Sequence, residues 1–149
     1  MAILPNPALL PLDEGDPDDY RPHSRFALLA DPARNDDGAY VENLAVILER
    51  IAPGDRIPLH RHPIDEAIVV ESGEVEVRLG GESVVVTGRS VVFVPAGTEH
   101  GARNIGADDA VYTAFFPSPR IEVEYLERNP APGTEGDDPQ PPVLYDARS

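Results

Sequence analysis

The sequence predicts an all-β fold, and three observations support that prediction. Between residues 41 and 126 the chain consists of short runs rich in β-branched and aromatic residues, interrupted about every ten residues by Gly, Pro, Asn or Asp. One run, Glu74–Leu79, alternates charged and apolar side chains, as does a strand with one buried face. The Gly80 and Gly81 pair after it is typical of a tight hairpin turn. Strands at this spacing are typical of a β-sandwich or barrel.

The other runs extend the same pattern on both sides of that hairpin. Those that follow it are residues 83–87, 90–94, 109–116 and 120–126. The run at residues 41–52 is ambiguous, because its apolar positions fit both a helix and a strand that is buried on two faces. Pro53 and Gly54 end this run and all its neighbours are β-type, so we predict a strand.

The two ends of the chain differ from this central part in composition. Residues 1–40 are rich in Pro, Asp and Ala with little periodicity, and residues 129–149 contain five prolines. A chain of 149 residues has the size of one domain. We therefore predict a single domain at residues 41–128, between an N-terminal arm at 1–40 and a Pro-rich C-terminal tail at 129–149.

The composition of the chain excludes several kinds of catalytic and metal-binding chemistry. The chain has no cysteine, which excludes thiol nucleophiles, disulfides and thiolate metal ligands. All 12 basic residues are arginine, so a lysine Schiff base is also excluded. The formal net charge of -15 predicts a surface that repels nucleic acids and anionic lipids. Hydroxyl, imidazole, carboxylate and guanidinium groups remain for the chemistry of a site.

The sequence also predicts a soluble, cytoplasmic protein. Its apolar beginning lacks a positive segment and is broken by Pro5, Pro7 and Pro11, unlike a signal peptide. No apolar stretch approaches the roughly 18 to 20 residues that would span a bilayer. We expect neither nucleic acid nor membrane among its partners.

The histidines carry the main functional signal. His60 and His62 stand two residues apart, so on a strand their imidazoles project from the same face and form half of a metal site. A bend at residues 63–65 is expected to bring Glu66 to that face as an oxygen donor. His100, which begins a later strand, is a fourth candidate ligand. The remaining histidine, His23, lies in the predicted arm and is expected at the surface.

Two segments resemble the two sequence motifs of the cupin superfamily. In the first, Gly54 is followed at the family's spacing by the two histidines and the glutamate, and the motif ends at Gly73. The second motif is similar from Pro95 through His100 to Asn104. Six residues separate Gly88 from Pro95 where the family pattern usually has five, which we interpret as one extra residue in a turn.

This resemblance implies a single-domain cupin, which is a double-stranded β-helix or jelly-roll barrel. By position it implies that His60, His62, Glu66 and His100 hold a divalent transition metal. Nitrogen and oxygen ligands suit Fe2+, Mn2+, Ni2+, Co2+ or Zn2+ and do not choose among them. The resemblance also implies a homodimer and a small-molecule substrate, and it implies structural roles for the motif glycines and Asn104.

Three functions are compatible with such a site. We predict the first, a metal-dependent dioxygenase acting on a small organic substrate, in which Glu66 binds the metal or acts as the catalytic base. The second is a metal-dependent isomerase, lyase or decarboxylase, for which Tyr112 is a candidate proton carrier. The third is a protein that binds a small ligand without catalysis. If Leu44, Val46, Leu48 and Arg50 face the interior, Arg50 is a candidate partner for an anionic substrate.

Overall fold

The computed structural model describes residues 2–12, 16–33 and 39–149. In these residues it contains twelve β-strands and no α-helix. The strands are β1 (Leu10–Leu12), β2 (Arg21–Leu29), β3 (Ala45–Ile51), β4 (Arg56–Arg61), β5 (Glu66–Ser72), β6 (Glu74–Leu79), β7 (Glu82–Thr87), β8 (Ser90–Val94), β9 (His100–Asn104), β10 (Ala110–Phe116), β11 (Arg120–Tyr125) and β12 (Val143–Asp146).

These strands form two six-stranded antiparallel sheets. The first sheet has the order β1-β2-β3-β10-β5-β8 and the second has the order β12-β11-β4-β9-β6-β7. The prediction of an all-β, double-stranded β-helix is confirmed. Within the described ranges, no helix is long and apolar enough to cross a membrane.

Alternation along each strand places the core between the sheets. In β6, Val75 and Val77 are buried whereas Glu74 is exposed, so the predicted period-two pattern is confirmed. In β10, the buried side chains of Tyr112 and Phe116 alternate with half-buried or exposed ones. This alternation turns every second side chain of β10 toward the space between the two sheets.

The ambiguous run is a strand, but its faces differ from our expectation. In β3 the buried positions are Ala45, Glu49 and Ile51, and Arg50 is exposed. The hypothesis that Arg50 faces the barrel interior is therefore wrong. Because strand faces alternate with period two, a shift of one residue in the assumed phase exchanges the two faces. The polar residue of β3 that faces inward is instead Glu49, which precedes Arg50.

The chain ends add strands to both sheets. Residues 21–29 of the predicted arm form β2, which pairs with β3 in register, and β1 pairs with β2 at the edge of the first sheet. At the other end, β12 pairs with β11 at the edge of the second sheet. The prolines in these segments favoured a prediction of irregular arms and so concealed the strands. Proline is nevertheless tolerated in a strand where its missing N–H is not needed, as at a sheet edge. The boundaries at residues 40 and 128 stay a prediction.

Two motif residues have structural roles in the fold. Gly73 has a φ of +102°, and a Cβ at that position would lie 2.8 Å from the Cα of Ala110, so a larger residue would collide with β10. Asn104 is fully buried, and its Nδ2 donates to the backbone carbonyls of Ile51 and Asp108. Both residues fix the turns that join the two sheets.

Candidate metal centre

The structure brings the four predicted site residues together. His60 lies near the end of β4, His62 follows that strand, Glu66 begins β5 and His100 begins β9. Their possible ligand atoms all lie within 4.8 Å of one another. We call these four residues the histidine cluster. That they bind a metal stays a proposal.

Backbone pairing explains why residues distant in sequence meet here. β4 and β9 are neighbours in the second sheet, and His60 is the register partner of His100. The bend at residues 63–65 turns the chain into the first sheet, where Glu66 starts β5. The amide of Gly97 donates to the carbonyl of His62 at 2.7 Å, which holds the turn before β9 against this bend. Two loops and two strands therefore position the cluster.

Each imidazole of the cluster is oriented by a backbone carbonyl. The three Nδ1 contacts are His60 to Pro58 O at 2.7 Å, His62 to Glu122 O at 2.8 Å, and His100 to Thr98 O at 2.9 Å. A carbonyl only accepts, so each Nδ1 carries the proton and donates it. The Nε2 atom of each neutral ring is then left with a lone pair, which is the tautomer that ligates a metal.

The position of the Glu66 carboxylate indicates whether a cation fits between it and the histidine rings. Oε2 of Glu66 lies 2.7 Å from Nε2 of His100 and 3.5 Å from Nε2 of His62. If both Nδ1 atoms hold the protons, these contacts bring lone pairs toward a carboxylate oxygen. A positive species among them relieves that repulsion. The donor set and its geometry therefore fit a divalent ion.

Burial favours the neutral form of the His60 and His62 rings. It lowers the pKa of His60 well below its ordinary value, and the charges that His100 and His62 would carry lower it further. Burial also lowers the pKa of His62, although the Glu66 carboxylate opposes the shift. A depressed imidazole pKa favours the neutral ring, and a neutral ring is what a metal binds.

The histidine cluster opens onto a cavity between the two sheets. The cavity has a volume of about 260 Å³ and is bordered by His60, His62 and Glu66. Most of its other walls are apolar, and strands of both sheets contribute them. These apolar walls include Phe26, Leu28, Ile47, Ile57, Phe116 and Val123. β2 supplies part of the wall, so the predicted N-terminal arm helps to build the site.

A second buried polar group, absent from the sequence prediction, also borders the cavity. Arg21 donates from Nε and Nη2 to the two carboxylate oxygens of Asp19, at 2.7 and 2.9 Å. Its Nη1 donates to Oε1 of Glu49 at 2.5 Å. We call these three residues the arginine cluster. The available signal was the phase of Glu49, which falls on the same face of β3 as the buried Ala45 and Ile51.

Electrostatics link the arginine cluster to its neighbours. Burial raises the pKa of Glu49, and the Arg21 guanidinium opposes that shift. For Arg21 itself, burial disfavours the charge, but Glu49 and Asp19 outweigh it and raise the pKa. Burial, followed by the charges of Glu66 and Glu49, raises the pKa of Tyr112 well above its ordinary value. These groups therefore respond to one another within one low-dielectric space.

Tyr112 reaches the cavity from β10. It is the register partner of Glu49 on the neighbouring strand β3. Across residues 2–12, 16–33 and 39–149, its hydroxyl makes no hydrogen bond to another residue. The phenol is therefore available to a ligand in the cavity.

Both ends of the chain close one side of the cavity. Oδ2 of Asp16 accepts hydrogen bonds from Tyr125, at 2.5 Å, and from Tyr145. Oδ1 of the same carboxylate accepts from the side chain of Gln140 at 2.9 Å. His23, by contrast, is exposed on β2 and lies outside the site, as the sequence predicted.

Comparisons with known proteins agree with this fold. The family model described as "Cupin domain" matches residues 47–116, which include the whole histidine cluster. An uncharacterised protein of Streptomyces coelicolor is 36% identical over 95 residues, which is 60% of this chain and 90% of that protein.

A second relative has a name that refers to function. The tetracenomycin polyketide synthase protein TcmJ of Streptomyces glaucescens is 31% identical over 85 residues, covering 55% of this chain and 57% of TcmJ. The alignment thus spans little more than half of the length of that relative.

A solved structure extends the likeness to most of the chain. The polyketide cyclase RemF from Streptomyces resistomycificus superposes with a TM-score of 0.66 at 17% identity, over 90% of this chain and 91% of RemF. At that identity the likeness concerns the fold alone. The motifs and the family match agree, and the chain contains a cupin superfamily domain at residues 47–116.

Proposed function

We propose that this protein is a metal-dependent enzyme that transfers protons on a small, mostly apolar substrate bearing keto or hydroxyl oxygens. This places it in the isomerase or lyase class. One observation carries the proposal: a cluster of three imidazoles and one carboxylate opens onto an apolar cavity of about 260 Å³. A cavity of this kind admits a ligand, which a metal held only for structure does not require.

The histidine cluster would hold the metal through three Nε2 atoms and the Glu66 carboxylate. A bound divalent ion would supply a Lewis acid that polarises a substrate oxygen. Fe2+, Mn2+, Ni2+, Co2+ and Zn2+ all suit this donor set. The three carbonyl contacts at Nδ1 orient the rings so that loading the site needs little rearrangement.

The chain's own groups would handle the protons. Glu66 is our proposed catalytic residue, because its carboxylate borders the cavity and, when detached from the metal, can accept a proton from a substrate placed beside it. The unbonded hydroxyl of Tyr112 is a second group able to pass a proton. The apolar walls limit water, which strengthens each electrostatic interaction in the site.

The relatives support a keto-bearing substrate. TcmJ is named as a protein of tetracenomycin polyketide synthase. Polyketides are carbon chains with repeated keto groups, and their rearrangement begins with proton removal next to a carbonyl. The same proton transfer is what we propose for this cavity.

Dioxygenase activity is a second candidate. Three imidazoles and one carboxylate, without thiolate, form a donor set that also suits Fe2+ and oxygen chemistry. Binding without catalysis is a third hypothesis. The open cavity, with Tyr112 and Glu66 beside it, favours the two enzymatic hypotheses.

Exchange and oxygen measurements distinguish these functions. Protein purified without air would be analysed for metal and incubated with α-tetralone, a two-ring ketone, in deuterated buffer. We expect about one metal per chain and deuterium uptake beside the carbonyl, followed by NMR, without oxygen consumption. His62→Ala is the control and should lose both metal and exchange. Oxygen consumption without exchange, or exchange no faster than that of the variant, would contradict the proposal.

We also propose that the protein is a homodimer. The outer face of the first sheet carries an apolar row in which Phe93 pairs with Ala67, and Ala67 with Phe115. Phe93 is 74% exposed, which is unusual for so large an apolar side chain. Sedimentation should show a dimer that Phe93→Glu converts to a monomer. Leu144→Glu, on β12 of the other sheet, is the control that should remain dimeric.

A further inference from the structure

The cavity's size and walls limit what can bind there. A closed apolar cavity of about 150 Å³ holds benzene. The cavity here measures about 260 Å³ and is walled mainly by aliphatic and aromatic side chains. It therefore accommodates a flat carbon skeleton of about two fused rings.

The charges in the cavity limit the ligand further. Among the described residues that border it, Arg21 has the one positively charged side chain. All three nitrogens of that guanidinium already donate to a carboxylate, Nε and Nη2 to Asp19 and Nη1 to Glu49. A ligand carboxylate would find no free guanidinium. It would instead face the carboxylates of Asp16, Glu49 and Glu66.

One carboxylate oxygen is left without a donor. Arg21 binds only Oε1 of Glu49, and within the described ranges no residue donates to Oε2. Side-chain oxygens that are fully shielded from solvent all have partners here, so Oε2 must border open space. Glu49 thus presents a free hydrogen-bond acceptor to the cavity.

The need to neutralise the charge of Arg21 does not explain why Glu49 is buried beside it. Asp19 alone already forms a complete two-point ion pair with the guanidinium. Adding Glu49 gives the arginine cluster one negative charge in excess, in a place where burial disfavours an ionised carboxyl. A buried charge that the fold does not need points to a role toward a ligand.

We propose that the cavity recognises a neutral, hydroxylated ligand of about two fused rings, whose O–H group donates a hydrogen bond to Oε2 of Glu49. This names the substrate class of the function proposed above and rests on it. The hydroxyl of Tyr112, on the strand next to Glu49, offers a second polar contact to the same ligand.

The test measures two probes on the metal-free protein by titration calorimetry. The probes are 2,7-dihydroxynaphthalene, which donates hydrogen bonds, and 2-naphthoate, an anion with the same ring skeleton. In Glu49→Gln, Arg21 still requires an oxygen, so the amide NH₂ turns toward the cavity and an acceptor becomes a donor. The matched control is Glu71→Gln, an exposed position on β5.

We expect a reversal of preference. Wild-type protein should bind the diol and not the naphthoate. Glu49→Gln should weaken diol binding by about tenfold or more and strengthen naphthoate binding, since it removes both the acceptor and the negative charge. Glu71→Gln should change neither affinity.

Three results would overturn the inference. They are an absence of diol binding to the wild-type protein, a diol affinity that Glu49→Gln changes by less than about twofold, and tighter wild-type binding of the naphthoate than of the diol. Because the protein is metal-free here, a failure of the proposed enzymatic function would leave these measurements unaffected. Circular dichroism of each variant would check that it is folded.

Discussion

The cavity holds two buried polar clusters that are built in opposite ways. The histidine cluster takes three rings from β4, its following bend and β9, and each ring is fixed by a carbonyl on its outer side. The three Nε2 atoms and the Glu66 carboxylate converge, and none of them donates a hydrogen bond to another. The arginine cluster lies on or beside β2 and β3, and its charges satisfy one another directly. The donor set of one cluster therefore fits a cation, and the other cluster already contains one.

Because of this difference, we expect substitutions in the histidine cluster to affect function and substitutions in the arginine cluster to affect stability. Removing a side chain from the histidine cluster takes away one of the proposed ligands, while the remaining rings keep their carbonyl partners. Removing Arg21 leaves two buried carboxylates without their counter-charge, which is a cost to folding. Each prediction below tests one side of this contrast.

The largest expected effect is the loss of metal in His62→Ala. Four-ligand zinc sites contribute roughly 10–16 kcal/mol of binding free energy, so the share of one ligand is about 2.5–4 kcal/mol and its removal should weaken affinity by about a hundredfold to a thousandfold. Elemental analysis after dialysis should show metal in the wild type and almost none in the variant. The control is His23→Ala, which alters the exposed histidine of β2 and should keep its metal. Equal metal content in both variants would disprove the ligand set.

The next effect is a loss of stability in Arg21→Leu. Breaking a buried ion pair by removal of one partner typically costs about 3–5 kcal/mol. Urea unfolding of the metal-free protein should show this decrease in the free energy of unfolding. Arg25→Leu, on the exposed side of the same strand, should cost less than about 0.5 kcal/mol. Equal effects of the two substitutions would mean that the buried pair adds no stability.

Added metal should stabilise the protein through the histidine cluster alone. Zn2+ at about 100 times its dissociation constant raises the free energy of unfolding by about 2.7 kcal/mol. Wild-type and Glu49→Gln proteins should both show this increase in thermal or urea unfolding. His62→Ala should not, and an increase in that variant would place the metal elsewhere.

The contrast between the two clusters also explains why the sequence predicted the histidine cluster and not the arginine cluster. His60 and His62 are two residues apart at the end of one strand, so their common side followed from local geometry alone. In the arginine cluster, Arg21 and Glu49 are 28 residues apart on separate strands, and the pairing of β2 with β3 brings them together. Glu49 was also hidden by the wrong phase assigned to β3. The fold class was predictable because turn residues and alternation are local signals, whereas the chain ends gave little periodicity.

The smallest expected effect concerns the pH dependence of stability in Glu49→Gln. Burial raises the pKa of Glu49 above its ordinary value of 4.5, and Arg21 only partly opposes this. The carboxyl therefore favours folding when protonated, and this contribution is lost as the pH rises through the folded-state pKa. Above that pH the ionised Glu49 adds one excess negative charge to the arginine cluster.

Glutamine removes this charge and keeps an oxygen for Arg21. We therefore expect Glu49→Gln to be more stable than the wild type by about 1 kcal/mol at pH 8, with the difference decreasing toward pH 4.5. Urea unfolding of both metal-free proteins across this range measures it. Asp19→Asn should behave differently, because it weakens the two-point contact with Arg21 and should destabilise by about 1–3 kcal/mol. If Glu49→Gln instead destabilises as much as Asp19→Asn, Glu49 is required to hold Arg21, and the excess charge that we assign to ligand recognition belongs to the fold.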